Sequence, residues 1–336
     1  VAISKTLADK QYFKSKIFTI KSPQDFEELA LELFRFQAKA NVVYARYLNL
    51  LGIEIEKVDH VGQIPFLPIR FFKEFEVITG NFSPELTFKS SATGGHGQSI
   101  HHLSSIDTYK KGSELTFEQF YGKPEEYCVL ALLPSYLERG DSSLVEMCQR
   151  FIMRSMDKDS GFYLDNLKAL SHVLKQKQAA HKPCLLIGVS FALLDLAEQY
   201  PMNLESLIIM ETGGMKGRRK EMIRTELHAH LQAAFNVSKV HSEYGMTELL
   251  SQAYSKGAGV FETPPWMQVL IRQTDDPFGM AAIGKTGGVN VIDLTNIDSC
   301  AFIETMDLGR MRANKTFEIL GRFDHAEVRG CNLMVQ

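Results

Sequence analysis

The sequence predicts an α/β fold with a largely parallel sheet and a smaller β-rich part behind it, and three observations carry that reading. Between residues 127 and 244, apolar runs of strand length alternate with longer stretches of helical spacing. Glycine-rich or small-residue breaks follow some of these runs directly, as at Gly213-Gly214, where open α/β sheets carry ligand loops. After Pro264-Pro265 the helical spacing stops, and 266–272, 287–294 and 317–320 read as short strands. At 336 residues, 45% hydrophobic and 23% charged, the chain can bury a large core.

Taken in order, Ser22 is placed to cap a helix whose first position suits Pro23. Phe26, Leu29, Ala30, Leu33, Phe34 and Ala38 keep helical spacing, so a mainly helical segment is expected over 1–80, with helix running to about Leu51. Two prolines in 64–72 argue for an extended path there. Strands are expected at 127–133, 184–189, 207–210 and 239–243, and helices at 142–156, 191–199 and 220–235. This gives an α/β core over 81–265, a β-rich subdomain over 266–320 and a tail over 321–336. No internal repeat or low-complexity linker interrupts them.

A net charge of -3 gives no reason to invoke nucleic acid or an anionic membrane surface. The longest apolar runs fall short of the roughly 20 residues of a bilayer span, so no membrane span is expected. The first residues lack the basic stretch and apolar block of a secretion signal. An opening on Val1 in place of methionine fits missing initial residues. Five cysteines without a Cys-x-x-Cys pair disfavour a disulfide framework or structural zinc, and a reducing, cytoplasmic setting is the expectation. Cys128, Cys148, Cys184 and Cys300 sit among apolar residues and read as core.

The small residues of Ser90-Ser-Ala-Thr-Gly-Gly-His-Gly97 let backbone N–H groups and hydroxyls converge on phosphate oxygens. The Walker spacing is absent, and an ordinary turn fits the same composition. Glu211-Thr-Gly-Gly-Met-Lys-Gly217 follows an apolar strand, and either a ligand loop or a tight turn explains it. Tyr244-Gly-Met-Thr-Glu248 offers an aromatic face for a base, a hydroxyl for phosphate and a carboxylate for Mg2+. His101-His102 and His228-x-His230 lack a third ligand and read as packing or solvated residues. Arg218-Arg219-Lys220 reads as a solvated helix start. Val189, Phe191, Ala192 and Leu193 fit either an acyl pocket or the core.

The succession of the loop near 90, Gly-Gly near 213, Tyr244-Gly-Met-Thr-Glu248, Met306-Asp-Leu-Gly309 and Gly321-Arg-Phe-Asp324 resembles the adenylate-forming superfamily of acyl-CoA synthetases and adenylation domains. The match covers roughly residues 85–331. The resemblance implies the large adenylate-forming amino-terminal domain, with ATP and Mg2+ as cofactors. It places Ser90, Ser91, Thr93, Gly94 and Gly95 on the triphosphate, and Gly213 and Gly214 against adenine. Tyr244, with Gly245 and Met246, would meet the base, Thr247 the α-phosphate and Glu248 the Mg2+, while Asp307 and Arg322 would hold the ribose. Two departures stand out. Gln98 stands where the family loop usually ends in Lys, leaving Lys216, Arg218 or Lys89 to compensate, and the usual carboxyl-terminal lid domain with its catalytic lysine is absent from this sequence.

Within the superfamily the sequence most resembles acyl-protein synthetases of the LuxE type, through Leu67-Pro-Ile-Arg-Phe-Phe-Lys73, Leu132-Leu-Pro-Ser-Tyr136, Glu211-Thr-Gly-Gly-Met-Lys-Gly217 and Val328-Arg-Gly-Cys-Asn-Leu333. That resemblance implies a long-chain fatty acid–protein ligase, which activates a fatty acid as its adenylate and passes the acyl group through Cys331 to a reductase partner. If 325–331 is extended, His325, Glu327, Arg329 and Cys331 share one face, where cationic neighbours favour the thiolate and Glu327 opposes them. Two other readings stay open: a ligase that hands its adenylate to coenzyme A or a carrier protein, and a noncatalytic nucleotide-binding subunit.

Overall fold

The computed structural model describes residues 2–90, 97–134, 140–214, 219 and 222–323. Helix α1 (Ala2–Lys16) leads into α2 (Pro23–Ala40), whose start is a capping box: Ser22 Oγ accepts from Asp25 N at 3.1 Å, and Asp25 Oδ2 accepts from Ser22 N at 3.0 Å. The mostly helical segment expected to about Leu51 continues past Asn41 as a further helix. Asn41 turns extended and its Oδ1 accepts from Tyr44 N, which caps α3 (Val42–Leu50). The extended path expected over 64–72 holds only through β1 (Leu67–Pro68). Beyond Pro68 the backbone is free to close a helical turn, α4 (Phe71–Glu74), which buries Phe72.

Strands β2 (Leu86–Lys89) and β3 (Ile100–Leu103) form a separate antiparallel hairpin. After α5 (Asp107–Tyr121) come β4 (Cys128–Leu132), α6 (Ser143–Arg154), β5 (Gly161–Phe162), α7 (Leu167–Ala179), β6 (Cys184–Val189), α8 (Ser190–Gln199), β7 (Ile208–Thr212), α9 (Arg224–Phe235) and β8 (His241–Tyr244). Strands β5, β4, β6, β7 and β8 lie side by side and parallel in that order. Every residue of β4 and β6 is buried, as expected of parallel strands covered on both faces.

The sheet then turns antiparallel through β9 (Ala253–Ser255), β10 (Val260–Glu262), β14 (Phe317–Arg322), β13 (Phe302–Met311), β12 (Thr286–Asp293) and β11 (Met267–Arg272), and β1 joins β13 in parallel. It is one continuous mixed sheet of 12 strands. Strand β13 is absent from the sequence reading because glycine and acidic residues break its apolar alternation. Strand β7 runs two residues past the expected end, since Glu211 and Thr212 pair with Gly188 and Val189. Strand β8 starts at His241 and reaches Tyr244, so the tyrosine itself is sheet. Helix α9 begins at Arg224, later than 220.

One apolar core joins the parallel strands to α5–α9, and a second lies between α1–α3 and the antiparallel strands. Cys128, Cys148, Cys184 and Cys300 are all buried in these cores. Among the described residues no helix is long and apolar enough to cross a membrane.

Candidate active site

The site begins where β8 ends. Glu243, Tyr244 and the turn after them leave the carboxyl edge of the parallel block, the position where open α/β sheets bind ligands. Tyr244 is buried, with its ring edge-on to Phe261 (6.0 Å) and Phe317 (5.9 Å). Its hydroxyl donates to Asp307 Oδ2 at 2.8 Å. Arg322 Nε donates to the other oxygen, Oδ1, at 3.0 Å, because Asp307 and Arg322 face each other across β13 and β14. Asp307 is buried while most of the Arg322 side chain is exposed, so the pair presents a fixed carboxylate and a cation at the rim.

Beyond Tyr244 the chain turns through exposed Gly245 and half-buried Met246 and Thr247 to Glu248, which is 6% exposed. This turn is held from outside. Asp293 Oδ2 accepts from Leu250 N and Ser251 N at 2.8 Å each, and Asn296 Nδ2 donates to the Glu248 carbonyl at 2.8 Å. His101 Nδ1 meets the Thr247 carbonyl at 2.8 Å, and its Nε2 meets Ser299 Oγ at 2.9 Å. Burial pushes the His101 pKa down to about 4, so the ring is neutral. A carbonyl can only accept; Nδ1 therefore carries the hydrogen and Nε2 accepts from Ser299.

His101 lies on β3 and so joins the turn to the β2–β3 hairpin. That hairpin closes where Ser90 N donates to the Ser99 carbonyl at 3.1 Å and Ser99 N donates to Ser90 Oγ at 2.8 Å. Gln98, the departure from the expected lysine, donates its Nε2 to the Ser90 carbonyl at 2.8 Å. The remaining loop residues singled out in the sequence, Ser91, Thr93, Gly94 and Gly95, lie outside the described residues, as do Lys216, Arg218, Asp324 and Cys331. Lys89 faces Asp141 at 3.6 Å.

Gly213 and Gly214 follow β7. Gly213 adopts φ +66°, open to glycine and costly for other residues, and its carbonyl accepts from Ser190 Oγ at 3.4 Å. A Cβ added at Gly214 would meet nothing within 4 Å among the described residues. Below them, Thr212 Oγ1 donates to buried Glu243, and Glu211 pairs with Arg224 at 3.0 Å. Desolvation, with help from the Glu211 charge, pushes the Glu243 pKa up to about 7, while the Thr212 hydrogen bond pulls against it.

The Glu248 carboxyl is buried beside the Ser99 hydroxyl. Desolvation raises its pKa; the Ser99 hydroxyl, a backbone N–H and the charges of Arg322 and Lys73 pull the other way. Ser99 Oγ is fully buried and finds no partner in hydrogen-bond geometry. A buried carboxylate beside a hydroxyl that has no partner in hydrogen-bond geometry fits a Mg2+ that takes one protein carboxylate and completes its shell with phosphate and water. Among the described residues no group of three His, Cys, Asp or Glu side chains could hold a metal by itself.

Sequence reasoning singled out Tyr244, Glu248, Asp307 and Arg322, of which Tyr244, Asp307 and Arg322 are joined by hydrogen bonds and Glu248 lies on the turn after Tyr244. It missed Ser99, Asp293, Asn296 and Thr212. Their roles depend on partners as distant as 43 residues or more in the case of Asp293 and Leu250, and local sequence carries no sign of them.

No protein-family model matches the sequence, and no curated protein matches it. Solved structures do. ATP-bound MatB from Rhodopseudomonas palustris matches with a TM-score of 0.53 and 17% identity over 70% of this chain and 47% of that one. An ATP-bound RpMatB-BxBclM chimera matches with a TM-score of 0.54 and 17% identity, over 72% of this chain and 49% of its own. An open conformation of 2-hydroxyisobutyryl-CoA ligase, in complex with 2-HIB-AMP and CoA, matches over 90% of this chain and 70% of that one, with a TM-score of 0.64 and 11% identity. The fold is therefore that of the large amino-terminal domain of adenylate-forming enzymes. This chain spans about half the length of the MatB structures.

Proposed function

We propose that this protein activates a carboxylic acid, a fatty acid by the LuxE-type resemblance, as its acyl adenylate and passes the acyl group to Cys331. The observation that carries the first half is the Glu248 carboxylate, buried beside the Ser99 hydroxyl on the turn that follows Tyr244, whose own hydroxyl meets the Asp307–Arg322 pair. Support also comes from a fold shared with a ligase solved with an acyl-AMP.

In this reading Asp307 accepts from the ribose hydroxyls, Arg322 stays beside it, and Thr247 donates to the α-phosphate. Glu248 is the residue that would hold a Mg2+, which when bound would neutralise phosphate charge. The carboxylate oxygen of the acid forms a bond to the α-phosphorus, and pyrophosphate departs with the electron pair of the broken bond. The chain's part is to align the two reactants and offset developing charge. In the second step the Cys331 thiolate attacks the acyl carbon, a thioester forms and AMP leaves. A reductase that takes the acyl group from Cys331 completes the reading.

Intact-protein mass spectrometry after incubation with MgATP and fatty acids of graded length tests it. The expected result is a gain of one acyl group, mapped to Cys331, removed by hydroxylamine and lost in Cys331→Ser while pyrophosphate exchange persists. Pyrophosphate release with no adduct, and acyl transfer only when coenzyme A is added, would replace the second step with a soluble acceptor.

A further inference from the structure

The site binds a polyanion in the proposed reaction, yet its evident cations are committed elsewhere. Gln98 is neutral, Lys89 faces Asp141, and Arg322 is engaged by Asp307. Arg272, buried at the base of β11, spends its donors on the Val289 and Thr305 carbonyls and Asn290. Lys73 is different: it is exposed, its backbone N–H donates to the Arg70 carbonyl at 2.9 Å, and its ammonium has no hydrogen bond or ion pair among the described residues.

Its position is fixed by three anchors. Upstream, β1 pairs with β13 at Leu67–Ile303 and Pro68–Glu304, and Ile69 N donates to the Glu304 carbonyl at 2.9 Å, three residues before Asp307. Beside it, Phe72 is buried edge-on against the His101 ring, with centroids 5.6 Å apart. That same His101 holds the Thr247 carbonyl. The short helix α4 is thus docked on the strand whose His101 holds the Thr247–Glu248 turn, and the charge of Lys73 reaches the Glu248 carboxyl.

We propose that Lys73 is a phosphate-binding residue of this site, whose ammonium neutralises the triphosphate of bound ATP and the pyrophosphate as it leaves. The assignment rests on the adenylation reading. The acid's oxygen forms the bond to the α-phosphorus, the bond to the bridging oxygen breaks, and that oxygen keeps the electron pair. Lys73 remains protonated and transfers no proton, so its contribution is electrostatic. A rigid anchor on Phe72 with a flexible side chain above it lets one cation follow the charge as it moves from ATP to pyrophosphate.

The test compares wild type, Lys73→Ala and Lys73→Arg in carboxylate-dependent ATP–pyrophosphate exchange and in MgATP binding by calorimetry. For Lys73→Ala, kcat/KM for ATP should fall on the order of 100-fold, the scale of losing one preorganised donor. MgATP should bind about 10-fold more weakly or worse, as for loss of a charged hydrogen bond. KM for the acid and the melting temperature should stay at wild-type values, and Lys73→Arg should recover much of the loss. A Lys73→Ala protein that exchanges and binds MgATP as wild type does would overturn the assignment while leaving adenylation intact. A wild type that binds MgATP in a Lys73-dependent way, yet exchanges with no acid, would support Lys73 as a phosphate ligand and overturn the adenylation reading instead.

Discussion

Glu243 offers a prediction whose size follows from its surroundings. It precedes Tyr244, is buried, and has only the Thr212 hydroxyl and the nearby negative charge of Glu211 for company. Its pKa rises from an ordinary 4.5 to about 7. The folded protein therefore keeps this proton up to about pH 7, whereas the unfolded chain releases it near 4.5. Between those values the folded state binds more protons, so stability falls as pH rises through the window and is flat above it. A separation of about 2.5 pH units corresponds to about 3 kcal/mol at full extent. Glu243→Gln removes the titration and keeps an acceptor for Thr212. Urea unfolding of both proteins should show the variant's advantage growing by about 2–3 kcal/mol between pH 5 and pH 8. An advantage that is the same at both pH values would refute the reasoning.

His101 gives the opposite sign. Its folded pKa near 4 lies below the usual 6.5, so the unfolded chain binds the extra proton between those values and stability falls as pH drops. His101→Gln should flatten that acid loss in the same urea measurements. Tyr244→Phe removes the hydroxyl bond to Asp307 and should cost about 1–2 kcal/mol of stability, with weaker MgATP binding by calorimetry. With Cys128, Cys148, Cys184 and Cys300 buried, brief labelling of native protein with iodoacetamide should modify at most one cysteine, Cys331, and all five after unfolding. Peptide mapping that finds rapid labelling at any of the four buried positions would contradict the packing described.

Much of the fold was legible because its signals are local. The apolar runs of β4 and β6 are strands buried on both faces, and Ser22 with Asp25 is a complete cap. The break at Asn41 was hidden because its capping bond competes with helix inside a segment that keeps helical spacing on both sides. Strand β13 was hidden for the opposite reason: its buried face carries Thr305, Asp307 and Gly309, so the apolar alternation that marks a strand is missing. The site divides the same way. Tyr244, Glu248, Asp307 and Arg322 could be picked out as motifs. What holds them in place, His101 against Thr247, Asp293 against Leu250 and α4 against β3, is made of contacts between segments far apart in sequence. His101 in particular read as packing or solvated. The structure makes it a packing residue that also joins two halves of the site.

The central claim is that this chain joins a carboxylic acid to the adenylate of ATP, and carboxylate-dependent exchange of labelled pyrophosphate into ATP tests it most directly. Exchange that requires both Mg2+ and a fatty acid, and that disappears in Glu248→Ala, is the expected result. MgATP binding without exchange for any acid in a panel from short to long chain would contradict the claim and point to a nucleotide-binding protein without the reaction.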